Sequence, residues 1–144
     1  MSTIKKILSV LEEMAPLAYA EDFDNVGLII GDENAEATGI LVCHDALETV
    51  IDEAIAKKCN LIVCFHPILF DGIKKITGKN YVERAILKAI KNDIAIYAIH
   101  TNLDNVIKGV NNKMKLILPF LFVLLYLLGY TFSQTYKQQK KRIK

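Results

Sequence analysis

The spacing of apolar residues changes along the chain, and each spacing predicts a different element. Near the N-terminus, five apolar residues recur at helical intervals: Ile4, Ile7, Leu8, Leu11 and Met14. This pattern predicts an amphipathic helix over residues 3–14, with its apolar face towards a core.

Further along, three short apolar runs alternate with two more helical patterns. The runs are GILVCH (39–44), NLIVCFH (60–66) and IAIYAIH (94–100), and the helical patterns cover 46–58 and 81–92. Strands that alternate with helices at this spacing predict parallel pairing through right-handed crossovers. The sequence therefore predicts an α/β fold.

Polar residues punctuate these elements. Asp45 with Glu48, and Asn80 with Glu83, have the spacing of capping boxes before the two later helices. Gly27 and Gly31 in EDFDNVGLIIGDEN allow tight backbone turns around a short apolar run.

The C-terminal part breaks the pattern. The run LILPFLFVLLYLLGYTF (116–132) carries no charge and is followed by KQQKKRIK. A helix over this run would span roughly 25 Å, slightly less than a hydrocarbon core of about 30 Å. Its composition is that of a marginal membrane-spanning segment with a positive flank.

The formal net charge of +2 conceals an uneven distribution. Residues 1–104 hold ten Lys/Arg and all sixteen Asp/Glu, whereas residues 105–144 hold eight Lys/Arg and no acid. The overall charge is therefore no evidence for nucleic-acid binding, and we infer no nucleic-acid partner. With 52% hydrophobic and 24% charged residues, the composition excludes a disordered chain.

The three cysteines, Cys43, Cys59 and Cys64, form no Cys-x-x-Cys pair. An odd number in apolar, strand-like surroundings is typical of reduced cysteines in an intracellular protein. The N-terminus has no signal-peptide pattern. We therefore expect a cytoplasmic protein, with anchoring to a membrane through 116–132 as the alternative.

Candidate chemistry concentrates at the ends of the predicted strands. His44, His66 and His100 are the only histidines, and each ends one strand. Ligands of open parallel sheets bind at the carboxyl ends of strands, so three imidazoles could gather at one edge. Asp45 and Asp104 follow closely, and imidazole with carboxylate suits a divalent cation of the zinc, iron or manganese type.

Structural roles for these residues remain open. Asp45 could be only a helix cap beside a half-exposed His44, His100 could be a satisfied buried imidazole, and Asp104 could cap a short helix at 105–113. The loop GIKKITGK (72–79) could hold a phosphate, but its spacing is not that of a P-loop, and the sequence favours a solvated loop. No Ser-His-Asp motif is present, and we assign no catalytic residue.

Three motifs together resemble one family. EMAPLAYAEDFDNVGLIIG (13–31), LIVCFHPILF (61–70) and IYAIHTNLDNVIKGVNNK (96–113) are similar to the Nif-three-like dinuclear-metal family, whose members are often labelled GTP cyclohydrolase 1 type 2 homologues. The resemblance covers roughly residues 1–113. It implies the N-terminal half of a three-layer α/β sandwich with a mainly parallel central sheet, and a homo-oligomeric assembly.

The resemblance also implies roles for individual residues. His66 matches the second histidine of a His-His-Pro motif and Asp104 a metal-bridging aspartate, so both are expected metal ligands. His100 matches a histidine at the edge of the site or behind its ligands, and Asn25 matches a loop near the site. Phe65 stands in the place of the first histidine, and phenylalanine has no lone pair to donate.

The same resemblance sets the functional expectations. Residues 1–113 form the predicted metal-binding domain, and 114–144 form an apolar and then basic tail, explained by an out-of-frame reading or by a membrane anchor. We expect a divalent-metal-binding protein that hydrolyses a nucleotide-like small molecule, with activity impaired by the lost C-terminal half. The alternative is a non-catalytic oligomeric protein that binds metal or a partner.

Overall fold

The computed structural model describes residues 2–106 and, further along, Val123, Leu125 and Tyr126. Residues 2–106 form four α-helices, four strands and one 3-10 turn at Leu17–Tyr19. In chain order they are α1 (Ile4–Met14), β1 (Gly27–Ile30), β2 (Ile40–Cys43), α2 (Glu48–Ala56), β3 (Leu61–Cys64), α3 (Tyr81–Lys91), β4 (Ala95–Ala98) and α4 (Thr101–Asn105). The three helices predicted at 3–14, 46–58 and 81–92 and the three predicted strands all form, each with slightly shorter bounds.

The four strands make one sheet in the order β1-β4-β3-β2. β2, β3 and β4 are parallel, and their register aligns Cys43 with Cys64 and Cys64 with Ala98. β1 is antiparallel to β4. The mainly parallel sheet that the sequence predicts is therefore confirmed, with one antiparallel strand added at its edge.

Helices cover both faces of the sheet and complete a three-layer sandwich. On one face, α2 and α3 supply small and branched residues such as Ile51, Ala54 and Ala85. On the other face, Ile4 and Leu8 of α1 pack against the opposite side chains of β3 and β4. Every residue of β3 and β4 is buried, which explains why their sequences are continuous apolar runs rather than alternating ones.

β1 is the strand that the sequence analysis did not predict. It has only four residues, and Gly27 and Gly31 at its ends have φ of +97° and +106°. Gly31 also approaches β4 closely, since a Cβ added there would lie 2.6 Å from Cα and Cβ of Ala95. The glycines thus permit both the turns and the close packing of an edge strand.

One of the two predicted caps forms and the other does not. The side chain of Asn80 accepts a hydrogen bond from Glu83 N–H at 2.9 Å, as the sequence predicts. The prediction that Asp45 caps the next helix is wrong: α2 begins after Leu47, which makes no side-chain cap. The Asp45 carboxylate instead binds two histidines, and those hydrogen bonds compete with capping.

The second compact unit, 107–144, is described at three helical, exposed residues only. The predicted helix at 105–113 and the predicted apolar span at 116–132 therefore lie almost wholly outside the described residues. Among the described residues, no helix is both long and apolar enough to cross a membrane.

The close approach of Gly31 to β4 gives a test of the edge strand. Gly31→Ala places a methyl group against Ala95 and forces an L-residue into a positive φ, so we expect it to lower the free energy of unfolding by about 2 kcal/mol or more. Gly72→Ala is the matched control, because a Cβ at Gly72 meets nothing within 4 Å. Urea unfolding followed by circular dichroism measures both; equal stability would contradict this account of β1.

A second test concerns the core beneath α1. Tyr97 is fully buried, and its hydroxyl has no hydrogen-bond partner among the described residues. Burial raises the pKa of this phenol to about 12. Because an unpaired buried hydroxyl is costly, Tyr97→Phe should leave stability unchanged or raise it by up to about 1 kcal/mol.

Tyr97→Ala is the comparison variant for that test. It removes the ring as well as the hydroxyl, so it should lower the free energy of unfolding by about 3 kcal/mol or more. A large loss of stability in Tyr97→Phe would mean that the hydroxyl has a partner after all.

Candidate metal centre

Backbone pairing continues beyond the strands and brings their histidines to one edge of the sheet. Phe65 N–H donates to the carbonyl of Cys43 at 3.1 Å, and His66 N–H donates to that of His44 at 3.0 Å. The ring centroids of His44 and His66 are 4.3 Å apart, and those of His66 and His100 are 5.2 Å apart. The predicted gathering of three imidazoles at the strand ends is confirmed.

Asp45 joins two of these imidazoles. Its Oδ2 lies 3.0 Å from His44 Nδ1 and its Oδ1 lies 2.8 Å from His66 Nδ1. Each of the three residues offers one ligand atom, and these three atoms lie within 4.8 Å of one another. His44, Asp45 and His66, which we call the His–Asp cluster, have the side-chain types and spacing of a cation site.

The His–Asp cluster is open to solvent. The side chains of His44, Asp45 and His66 are 66%, 49% and 40% exposed. Hydrogen bonds from His66 and then His44 lower the pKa of the Asp45 carboxyl. Asp45 is therefore an anion at neutral pH, the state in which a carboxylate binds a cation.

His100 is held differently, by a buried carboxylate. Its Nδ1 lies 3.0 Å from Oδ2 of Asp24, whose side chain has no exposed surface, while the His100 side chain is 17% exposed. Asp24 also accepts hydrogen bonds from the backbone N–H and the hydroxyl of Thr101, and from Asn25 N–H. Asp24 thereby fixes the turn between β4 and α4.

The pKa of Asp24 reflects two opposing effects. Burial acts to raise the pKa of the carboxyl, but the hydrogen bonds from Thr101, His100 and Asn25 outweigh it, so that the pKa lies below its usual value. Asp24 is therefore charged at neutral pH although it is buried.

Amide side chains tie the surrounding loops together. Asn25 Nδ2 donates to the carbonyl of Leu69 at 2.8 Å, which joins the segment before β1 to the loop after His66. The buried Asn102 accepts from His100 N–H and donates to the carbonyl of Ala15. Asn25 thus holds the loop that follows His66.

Phe65 lies among the histidines. Its ring centroid is 5.4, 5.2 and 5.1 Å from those of His44, His66 and His100. The position matched to a metal-binding histidine is thus filled by an apolar ring at the centre of the imidazoles.

Asp104 lies on α4, with its backbone N–H donating to the carbonyl of His100 at 3.1 Å. Among the described residues, its carboxylate is not part of a group of three mutually close ligands. The structure thus brings His44, Asp45 and His66 into one cluster and places His100 beside them, with Asp104 one helical turn further along.

The cysteines have no role in this centre. Burial raises the pKa of Cys43 to about 11 and that of Cys64 to about 12, so both are neutral thiols. All three cysteines are free. Cys43 and Cys64 behave as strand residues that pack against the core, as the sequence predicts.

An open cleft of about 490 Å³ lies beside the cluster. Its lining residues come from the segment before α2, the loop after β3, the start of α3 and the residue that follows β4 by two positions: Asp45, Ala46, Leu47, His66, Pro67, Ile68, Phe70, Tyr81, Val82 and His100. A cation at the His–Asp cluster would therefore adjoin a space large enough for a small molecule.

Sequence comparison gives this arrangement a family context. The sequence profile of the family described as Duf34/NIF3 (NGG1p interacting factor 3) matches residues 2–122. The chain is 44% identical over 117 residues to a protein of Clostridium acetobutylicum named GTP cyclohydrolase 1 type 2 homolog. That match covers 81% of this chain and 44% of the relative.

Solved structures show the same fold. Staphylococcus aureus protein SA1388 is similar with a TM-score of 0.69 and 41% identity over 72% of this chain and 33% of that one. A Bacillus cereus protein related to NIF3 gives the same TM-score and identity over 72% of this chain and 28% of that one. The chain spans less than half the length of these relatives.

Asp24 is the residue of the centre that the sequence analysis missed, and its replacement is informative. Both carboxylate oxygens of Asp24 accept hydrogen bonds from N–H or O–H groups. In Asp24→Asn, whichever way the amide is turned, its NH₂ group would face one of these donors and lose that hydrogen bond. We expect a loss of about 2 kcal/mol in the free energy of unfolding at pH 7. The exposed neighbour variant Asp22→Asn should be neutral.

The pH dependence has a defined sign. Because the folded pKa of Asp24 is depressed, its contribution to stability is full above the unfolded pKa of about 4 and is lost as pH falls through the lower folded value. The stability difference between wild type and Asp24→Asn should therefore shrink below about pH 4. Urea unfolding at pH 7 and pH 3 measures it; a constant difference would show that the Asp24 charge is not responsible.

Proposed function

The chain belongs to the Duf34/NIF3 family, and on that premise we propose that it binds a divalent metal ion at the His–Asp cluster. The observation that carries the proposal is the convergence of His44, Asp45 and His66 at the carboxyl edge of a parallel sheet, next to an open cleft. Parallel α/β sheets bind their ligands at this edge.

The donor set fits such an ion. Imidazole nitrogens with one carboxylate suit zinc, iron or manganese, and the Asp45 carboxyl is ionised at neutral pH. Metal–ligand bonds of about 2.1 Å place neighbouring ligand atoms about 3.4 Å apart in a tetrahedral site. Small side-chain rotations of the exposed His44 and His66 would bring the cluster to that spacing.

If the proposed metal site is catalytic, we propose that its reaction is a metal-dependent hydrolysis. The named relatives carry the label GTP cyclohydrolase 1 type 2 homolog, which supports a nucleotide-like small molecule as substrate. A bound divalent ion would supply activation of water and polarisation of the substrate. The chain's own part is to fix the imidazoles through Asp45 and to hold the substrate in the adjoining cleft.

A non-catalytic, metal-binding role is the second candidate, and Phe65 favours it. Phe65 stands at the position that the family motif matches to a metal-binding histidine, and phenylalanine has no lone pair to offer. A second ion would therefore have fewer ligands. We propose Asp104 as a further ligand on the strength of its motif alone, and a homo-oligomeric assembly on the same basis.

Metal content decides whether the cluster is a site. Purified full chain, loaded with Zn²⁺, Fe²⁺ or Mn²⁺ and dialysed, should retain about one ion per chain of at least one metal by elemental analysis. Asp45→Asn and His66→Ala should each weaken metal affinity at least tenfold, because each variant removes a metal-ligand atom or the hydrogen bond that orients a ligand. Asp52→Asn is the matched control, because that carboxylate binds Lys88 on the surface of α2.

Two further variants refine the ligand set. Asp104→Asn should lower affinity only if that carboxylate also binds the ion, and Phe65→His should raise the metal content if the motif alignment is right. Retention of metal by both Asp45→Asn and His66→Ala would overturn the proposal.

A further inference from the structure

β2 is an open edge of the sheet. It is the last strand in the order β1-β4-β3-β2, and no described residue pairs with its outer side. Leu61 N–H of β3 donates to the carbonyl of Gly39 at 3.2 Å, so the odd-numbered residues of this segment turn their backbone groups towards β3. Because the backbone groups of successive strand residues point to opposite sides, Ile40 and Val42 direct their N–H and carbonyl groups outwards.

This edge lacks the features that usually keep an edge strand from pairing with another strand. Residues 38–43 include no charged residue and no proline, and the ladder between β2 and β3 has no register shift. The side chains of Ile40 and Val42 are 46% and 75% exposed. By contrast β1, at the opposite edge, has a register shift between Leu28 and Ile30. A regular, apolar and open edge is a template for a further strand.

The helix beside this edge presents one acid and one base. Asp52 of α2 binds Lys88 of α3 at 2.8 Å, which marks the side of α2 that is turned towards α3. With about 3.6 residues per turn, Glu53 and Lys57 lie on another side of α2, away from α3 and next to the open edge. They form an ion pair of 2.6 Å, and both side chains are about half exposed.

Two-fold symmetry makes these features complementary to themselves. An axis perpendicular to the sheet sets two β2 strands antiparallel, so that Ile40 exchanges hydrogen bonds with Val42 of the partner subunit. With strands about 4.8 Å apart, two α2 helices that each lie over β2 and β3 are about 10 Å apart, which is a packing distance for helices. The axis also reverses the second helix, so Glu53 of one copy faces towards Lys57 of the partner subunit.

We propose that β2 pairs with β2 of a second copy of this chain, so that two four-stranded sheets become one continuous sheet with the two α2 helices packed across the join. The inference goes beyond the homo-oligomeric assembly proposed above, because it names the surface and the symmetry. A second copy fits because it brings the same outward hydrogen-bonding groups, the same apolar side chains and the opposite charge at each end of the helix contact.

Concentration dependence and hydrogen exchange test the interface. Sedimentation velocity of the metal-free full chain should show a monomer at low concentration and a dimer at high concentration. Exchange of amide hydrogens, followed by NMR over the same range, identifies the surface. The N–H groups of Ile40 and Val42 should exchange about tenfold or more slowly in the dimer, while those of β1 should not change.

Variants at exposed positions test the contacts without threatening the fold. Val42→Lys places a charge on the edge and should raise the dissociation constant of the dimer about tenfold or more. Val10→Lys, at a half-exposed position on α1, is the matched control and should leave that constant unchanged. Glu53→Lys should weaken the dimer several-fold, and the double variant Glu53→Lys with Lys57→Glu should restore it, because the exchange of charges keeps the contact complementary.

A monomer at every concentration would overturn the proposal, as would a dimer that Val42→Lys leaves intact. Slow exchange of Ile40 and Val42 at every concentration would also overturn it, since another segment of the same chain would then cover the edge. A dimer in which these two amides still exchange rapidly would contradict this interface and leave the assembly proposed above in place. Because the protein is metal-free, no outcome depends on metal binding at the His–Asp cluster.

Discussion

The parallel register of β2, β3 and β4 is the constraint on which the candidate centre depends. It sets Cys43, Cys64 and Ala98 at one level of the sheet, so that the residues just beyond them emerge at one edge. Parallel strands require crossover helices, and those helices bury both faces and leave the strand ends as the place where polar groups can be exposed. His44, His66 and His100 occupy these ends, so that histidines far apart in sequence become neighbours.

Two carboxylates then give the imidazoles different roles. Asp45 is exposed and shared between His44 and His66, and a cation can compete for that arrangement. Asp24 is buried and accepts from His100, Thr101 and Asn25, so it is committed to holding a turn. The same two kinds of group therefore form an exposed candidate ligand set around Asp45 and a buried structural contact around Asp24.

The sequence predicts local features of this fold better than distant ones. The helices were predictable because their apolar periods span many residues, and the buried strands because they are unbroken apolar runs that alternate with those helices. Asn80 was predictable because its partner lies three positions away. β1 was not, since four residues between glycines carry little periodicity. Asp45 was misassigned as a cap because the competing partner, His66, is 21 residues distant. Asp24 was missed because its partners His100 and Thr101 are 76 and 77 residues away, and only the fold brings them together.

Phe65 fills space in the candidate centre without offering a metal ligand. A ring of similar size to imidazole fills the space between three histidines, so the shape of the centre persists although a nitrogen lone pair is lost. At the proposed metal site, the missing lone pair would lower metal affinity while the ring still fills the space. Asp45 nevertheless lies 3.0 Å from His44 Nδ1 and 2.8 Å from His66 Nδ1, so the three proposed ligands remain close together beside the phenyl ring. A site of one ion built on His44, Asp45 and His66 is thus compatible with Phe65, whereas a second ion that needed a donor at position 65 is not.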